Sequence, residues 1–163
     1  MNRELLNSIK NCLDNRQDVM LSGLSGSART FLLHEFYLIS PGKLLCIVPG
    51  EEQAYDLFND LKGLVGLNKI SLFLERDFVF MKENTSQIEM ERISALQELL
   101  NHPRRKSIII TTIGGLLYRI ISPQYIKKAN LPLEVGQDYP LNNLLRQLVA
   151  AGYERVDTVT RPG

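Results

Sequence analysis

The sequence predicts an α/β fold in which a parallel sheet is flanked by helices. Three observations carry this. Strand-length apolar runs, such as Leu44-Leu45-Cys46-Ile47-Val48, alternate with stretches whose apolar residues recur at helical spacing, the rhythm of β-α-β units. Pro-Gly pairs at 41–42 and 49–50 bracket the first of those runs and separate it from its neighbours. Residues 23–30, Gly-Leu-Ser-Gly-Ser-Ala-Arg-Thr, stand between a strand pattern and a helix pattern. That is the setting of a phosphate-binding loop.

The elements follow in order. Leu5, Leu6, Ile9 and Leu13 predict a helix over residues 3–14. Asp18–Leu21 reads as a short strand leading into the loop, and a helix runs from about Arg29 to Ile39, stopped by Pro41-Gly42. Lys43–Val48 is a strand whose continuous apolar run implies that both faces are covered. Glu51–Val65 is a helix with Ala54, Leu57, Phe58, Leu61 and Leu64 on one face, and Ile70–Leu74 is the next strand. Glu75 to Thr85 is a connection without clear period. Ser86–Leu100 is a helix, with Ser86 and Glu89 spaced as a capping box. Ser107–Thr112 is a further apolar strand, and Gly114–Ile121 a short helix ended by Ser122-Pro123. Beyond Pro123 the pattern changes. Leu131–Val135 alternates like a half-exposed strand, Gly136-Gln137 makes a turn, Pro140–Ala151 is a helix closed by Gly152, and Glu154–Val159 alternates again. Residues 1–122 therefore read as one α/β domain, and residues 123–163 as the opening part of a smaller α+β domain that stops short.

Composition excludes several function classes. At 163 residues and 44% hydrophobic, the chain has material for a packed core and is not a disordered segment. A net charge of +1 gives no global argument for nucleic-acid or membrane binding. Apolar runs of about five residues fall far short of the roughly 20 needed to span a bilayer, and the N-terminus lacks a signal-peptide pattern. The two cysteines, Cys12 and Cys46, are not in a C-x-x-C pair. Cys46 in its apolar run reads as a buried reduced thiol, which suits the cytoplasm.

The loop at 23–30 matches the frame G-x-x-x-x-G-K-[ST] at Gly23 and Thr30 and departs from it at Ala28 and Arg29. The frame wants glycine so that backbone N–H groups of residues such as Ser25, Gly26 and Ser27 can curl around phosphate, and a methyl at 28 crowds that curl if the backbone there has positive φ. It wants lysine as a slim point charge. Arg29 is planar and bulkier, and could instead pair with a nearby carboxylate and plug the site. With two of four fixed positions changed, the loop reads as a relic turn. No apolar strand ends in the Asp-Glu that would hold Mg²⁺. The basic turn Arg104-Arg105-Lys106 could touch phosphates but reads more simply as a solvated turn. Arg119, Lys127 and Lys128 read the same way. His34 and His102 share no metal-ligand spacing with the cysteines, and Ser22, Ser25 and Ser27 lack a His-Asp arrangement, so no catalytic or metal residue is assigned.

Four stretches together resemble one family. They are the LSGLSGSART loop, the PGEEQAYDLFNDL turn, the SIIITTIGGLLYRI segment and, most specifically, EVGQDYPLNNLLRQLVAAGYERVDTVTRPG. The last resembles the start of the second domain of UvrB-like nucleotide excision repair proteins, with Gly136, Gln137, Leu144, Leu148, Ala151, Gly152, Tyr153, Arg155, Val156 and Asp157 fitting its pattern. The resemblance covers nearly the whole chain and implies a P-loop NTPase fold of RecA or helicase type.

Within that family the departures point one way. UvrB has an intact phosphate loop and a long tyrosine-rich hairpin that clamps damaged DNA. Here the loop is degenerate. The Glu75–Thr85 connection is about eleven residues, too short for such a hairpin, and holds Phe78 and Phe80 but no tyrosine. Both features resemble the amino-terminal, UvrB-like region of the bacterial transcription-repair coupling factors (Mfd). That resemblance implies a non-catalytic module that recruits UvrA to stalled RNA polymerase, with no cofactor of its own. RNA polymerase, DNA, ATP and Mg would be handled by other domains of a translocase parent. It also implies that most UvrA-contacting residues lie past Gly163. Arg155 and Arg161, near the expected docking edge, are the partner-binding candidates in this chain, against the simpler role of solubilising an exposed strand. The alternative is a UvrB-type helicase domain that still binds ATP through Gly23–Thr30. A third reading is a stand-alone anion-binding α/β domain.

Overall fold

A computed structural model describes residues 3–75, 85–120, 122–129, 131, 133–151, 153 and 156. Its centre is a three-stranded parallel sheet made of β1 (Leu44–Val48), β2 (Ile70–Phe73) and β3 (Ile108–Thr112), in the order β1-β3-β2. The register pairs Cys46 with Ile110 and Leu72 with Ile110, so β3 is the middle strand, and all five of its residues are buried.

The helices follow from the connections. α1 is Arg3–Asp14, α2 Ala28–Ile39, α3 Glu51–Val65 and α4 Thr85–Asn101, with a 3₁₀ turn at Leu67–Lys69. From β1 the chain crosses through α3 to the far edge, then returns through α4 to the centre. Right-handed crossovers of opposite direction put their helices on opposite faces of a sheet. The core divides accordingly. On one face Ala54, Leu57, Leu61 and Val65 of α3 and Tyr37 of α2 pack with Cys46, Val48, Ile70, Leu72, Ile108 and Ile110. On the other, Ala95, Leu96 and Leu99 of α4 pack with Phe73 and Ile109. Arg92 of α4 is also buried; its guanidinium lies 3.9 Å from the Phe73 ring centroid and donates to the Leu74 carbonyl. It ties α4 to the exit of β2.

Three further helices complete the described chain, α5 (Ile113–Leu117), α6 (Pro123–Ala129) and α7 (Leu141–Ala150). The Thr112 hydroxyl caps α5 by accepting from Gly115 N–H at 3.1 Å. α7 buries none of its residues.

The structure corrects several expectations. Asp18–Leu21 is not a strand; it makes no ladder with any described strand, and Met20 is 93% exposed. A strand exists only by virtue of its partner, so apolar residues alone did not suffice. Among the described residues β1 is covered on one face only, with Leu45 and Ile47 on the other more than half exposed, because α4 packs on β2 and β3 and not on β1. Helix α5 is shorter than the expected 114–121, and the next helix begins at Pro123. Ser122-Pro123 is a start signal, not a stop. Ser122 Oγ accepts from Tyr125 N–H at 3.3 Å, and proline at a first helical position loses nothing by lacking its N–H. Ser86 falls inside α4, which begins at Thr85, one residue before the expected start. Residues 131 and 133–135 are not strand, though the turn beyond them is present, with Gly136 at φ +89° and Gln137 N–H donating to Glu134 O at 3.3 Å. Most of the connection from 75 to 85 and of the expected strand at 154–159 lies outside the described residues.

Cys46 is buried as expected, and burial pushes its thiol up to about 11. The raised value costs no stability below about pH 9 and destabilises the fold as pH rises towards 11. At pH 8 an alkylating reagent is expected to label half-buried Cys12 first and Cys46 only after unfolding, as read by mass spectrometry of a timed reaction. Equal labelling rates in the folded protein would show that Cys46 is accessible.

Candidate functional site

The loop preceding α2 turns at two glycines. Gly23 and Gly26 have φ of +77° and +53°, the left-handed region that favours glycine, and open space surrounds both. Ala28 N–H donates to Ser25 O at 3.2 Å and Phe31 N–H to Ser27 O at 3.0 Å, which closes the loop onto the first turn of the helix. Ser27 is the N-cap residue and makes no side-chain cap. Ala28 lies within α2 and lacks positive φ, so its methyl is not strained and the expected crowding does not arise.

The other two fixed positions behave differently from each other. Arg29 is exposed. Thr30 is only 6% exposed, and its hydroxyl donates to Asp60 Oδ2 on α3 at 3.1 Å. The carboxylate that closes on this loop therefore takes Thr30, not Arg29. Asp60 is the residue that sequence reasoning missed. It is one of several acidic residues on an amphipathic helix, thirty positions from Thr30, and no local spacing marks it.

The remaining candidates separate cleanly. Two charges of the basic turn serve the fold. Lys106 Nζ donates to Leu38 O at 2.8 Å and lies 5.1 Å from the Tyr37 ring centroid, while Arg105 is 3.6 Å from Glu98. Lys43 ties the same turn from below, donating to the carbonyls of His102 and Arg105 at 2.9 and 2.7 Å. Arg104 remains exposed. Arg155 and Arg161 lie outside the described residues. Among the described residues there is no group of three or more His, Cys, Asp or Glu placed to hold a metal ion, and no helix is long and apolar enough to cross a membrane.

A second feature lies beside β1. Leu45 lines two apolar cavities. One, of about 300 Å³, is walled by Phe73, Leu96, Leu99, Leu116 and Ile120, and the other, of about 340 Å³, by Leu13, Leu33, Phe36 and Ile39.

A parallel sheet between helices, with a glycine-turn loop opening one of them, is the architecture of P-loop, helicase-like proteins, and the relatives of this chain imply that fold. Its homologues are UvrB proteins and a transcription-repair coupling factor. UvrABC system protein B of Nitratidesulfovibrio vulgaris (strain DSM 19637 / Miyazaki F) is 25% identical over 152 residues, 86% of this chain. The same protein of Ureaplasma parvum is 26% identical over an alignment covering 98% of the chain. The transcription-repair-coupling factor of Staphylococcus haemolyticus is 26% identical over 90% of it. The chain spans 22% and 25% of the length of these two UvrB proteins and 13% of the coupling factor. No protein-family model matches it. The similarity is that of a UvrB-like module of DNA repair, consistent with the UvrB-like region of a coupling factor.

Proposed function

We propose that this chain is a non-catalytic, UvrB-like module of a transcription-repair coupling factor, and that it helps recruit UvrA. The observation that carries the reading is the combination of similarity along most of the chain with a phosphate loop that has lost its second glycine and its lysine. In this reading residues 1–122 form the scaffold and residues 123–163 open the docking domain, where Arg155 and Arg161 are the candidate contacts. The loop from Gly23 to Thr30 holds no cofactor. ATP, Mg, DNA and RNA polymerase belong to other domains of the parent.

The test is a pull-down of purified UvrA by this chain continued through the docking segment that follows the aligned region in the Staphylococcus haemolyticus coupling factor. Saturable retention, weakened when Arg155 and Arg161 are both replaced by alanine, is the expected result. No retention of UvrA by the folded chimera overturns the reading.

A further inference from the structure

A residue outside the loop also bears on it. Here the geometry adds a determinant outside it. We infer that Asp60 latches Thr30 and pins the first turn of α2, where the Gly23–Thr30 loop ends, in a position that does not take Mg-nucleotide, in addition to the changes at positions 28 and 29. The inference rests on the reading of the loop as non-catalytic and names the contact that enforces it.

Three observations support it. In an intact loop the hydroxyl at the Thr30 position must present its oxygen to a magnesium ion. Thr30 is 6% exposed and its hydroxyl donates to Asp60 of α3, so the side chain is packed at the α2–α3 contact rather than open to a metal ion. The partner is a carboxylate, and its negative charge beside the loop opposes a polyphosphate. Finally, the contact sits in the wrong place for a nucleotide. Ligands of parallel α/β sheets bind beyond the carboxyl ends of the strands. Helix α3 starts just after the carboxyl end of β1 and returns towards the amino end of β2. Asp60 is nine residues along it, about 13 Å at 1.5 Å per residue. The start of α2 is thus held down the side of the sheet, away from that crevice. Asp60 is itself exposed, so replacing it removes the latch without emptying the core.

The experiment is calorimetric titration of the purified chain with Mg-ATP. The proteins are wild type, Ala28→Gly/Arg29→Lys, and the same pair combined with Asp60→Ala or with Asp60→Asn. Thermal melts followed by circular dichroism confirm that each is folded. The expected result is no heat from wild type, none or weak binding from the pair, and binding at least tenfold tighter once Asp60 is replaced by alanine. The Asp60→Asn version, which keeps an acceptor for Thr30 but loses the charge, is expected to fall between. If the pair alone binds as tightly as the triple variant, or the folded triple variant gives no heat, the latch is overturned while the non-catalytic reading stands. Heat from wild type with a micromolar Kd overturns that reading itself.

Discussion

Leu61→Ala is expected to lower the unfolding free energy by about 3–4 kcal/mol, within the range seen when a fully buried leucine is truncated. Leu61 has no exposed surface and stands in the cluster that joins α3 to all three strands. A cavity there lies within the larger core cluster, which also holds Ile108 and Ile110 of the wholly buried middle strand, so collapse is hard. Since domains are stable by only about 5–15 kcal/mol, the change would remove a large share. The measurement is urea unfolding followed by circular dichroism. Leu64→Ala, three residues on and 41% exposed, serves as the control and is expected to cost less than about 1 kcal/mol. Equal midpoints for the two variants would mean that the α3 face has been misassigned.

Gly115→Ala is expected to destabilise by about 2–3 kcal/mol, for the opposite reason. An added Cβ would lie 2.6 Å from the Phe73 carbonyl oxygen and 2.7 Å from Thr111 Oγ1. Neither neighbour can yield. The first is backbone inside the sheet, and the second donates to that same carbonyl at 2.5 Å. Gly114→Ala provides the contrast. Its Cβ would overlap the Glu75 carboxylate, but that is the end of a flexible side chain, and alanine gains roughly 1 kcal/mol over glycine in a helix. Gly114→Ala is therefore expected to be nearly neutral. The same urea series distinguishes the pair, and a Gly115→Ala protein as stable as wild type would show that α5 does not approach β2 so closely.

The comparison between what could be read from residue order and what folding adds turns on whether a signal is complete within one segment. Helices α1 to α4 and strands β1 to β3 fall within a residue or so of their expected limits, because periodicity and Pro-Gly punctuation lie inside each segment. The Asp18–Leu21 strand failed because pairing is a property of two segments. The α6 helix was missed because Ser122-Pro123 has two meanings, and the Ser122 hydrogen bonds decide between them. The loop was legible as a departure from the phosphate-loop frame at Ala28 and Arg29, because that comparison lies within one segment. Crowding at Ala28 was conditional on a positive φ there, and the condition is not met, since that residue is ordinary helix. The Thr30–Asp60 bond was invisible, because it depends on how α2 packs on α3.

The half-bare face of β1 has a consequence for the chain's behaviour in solution. Leu45 and Ile47 stand exposed on β1, which is an outer strand of the sheet among the described residues, and its outer side has backbone donors and acceptors of its own. Lys43 and Pro49 flank the strand, but its own five residues include none of the lysines, prolines or bulges that ordinarily discourage strands from adding to one another. Within Leu44–Val48 no charge interrupts the run. Unless another surface covers it, this strand is where molecules of the chain would begin to stick together, and the first polar substitution made to keep the protein monodisperse belongs at Ile47, whose side chain contributes to neither core cluster.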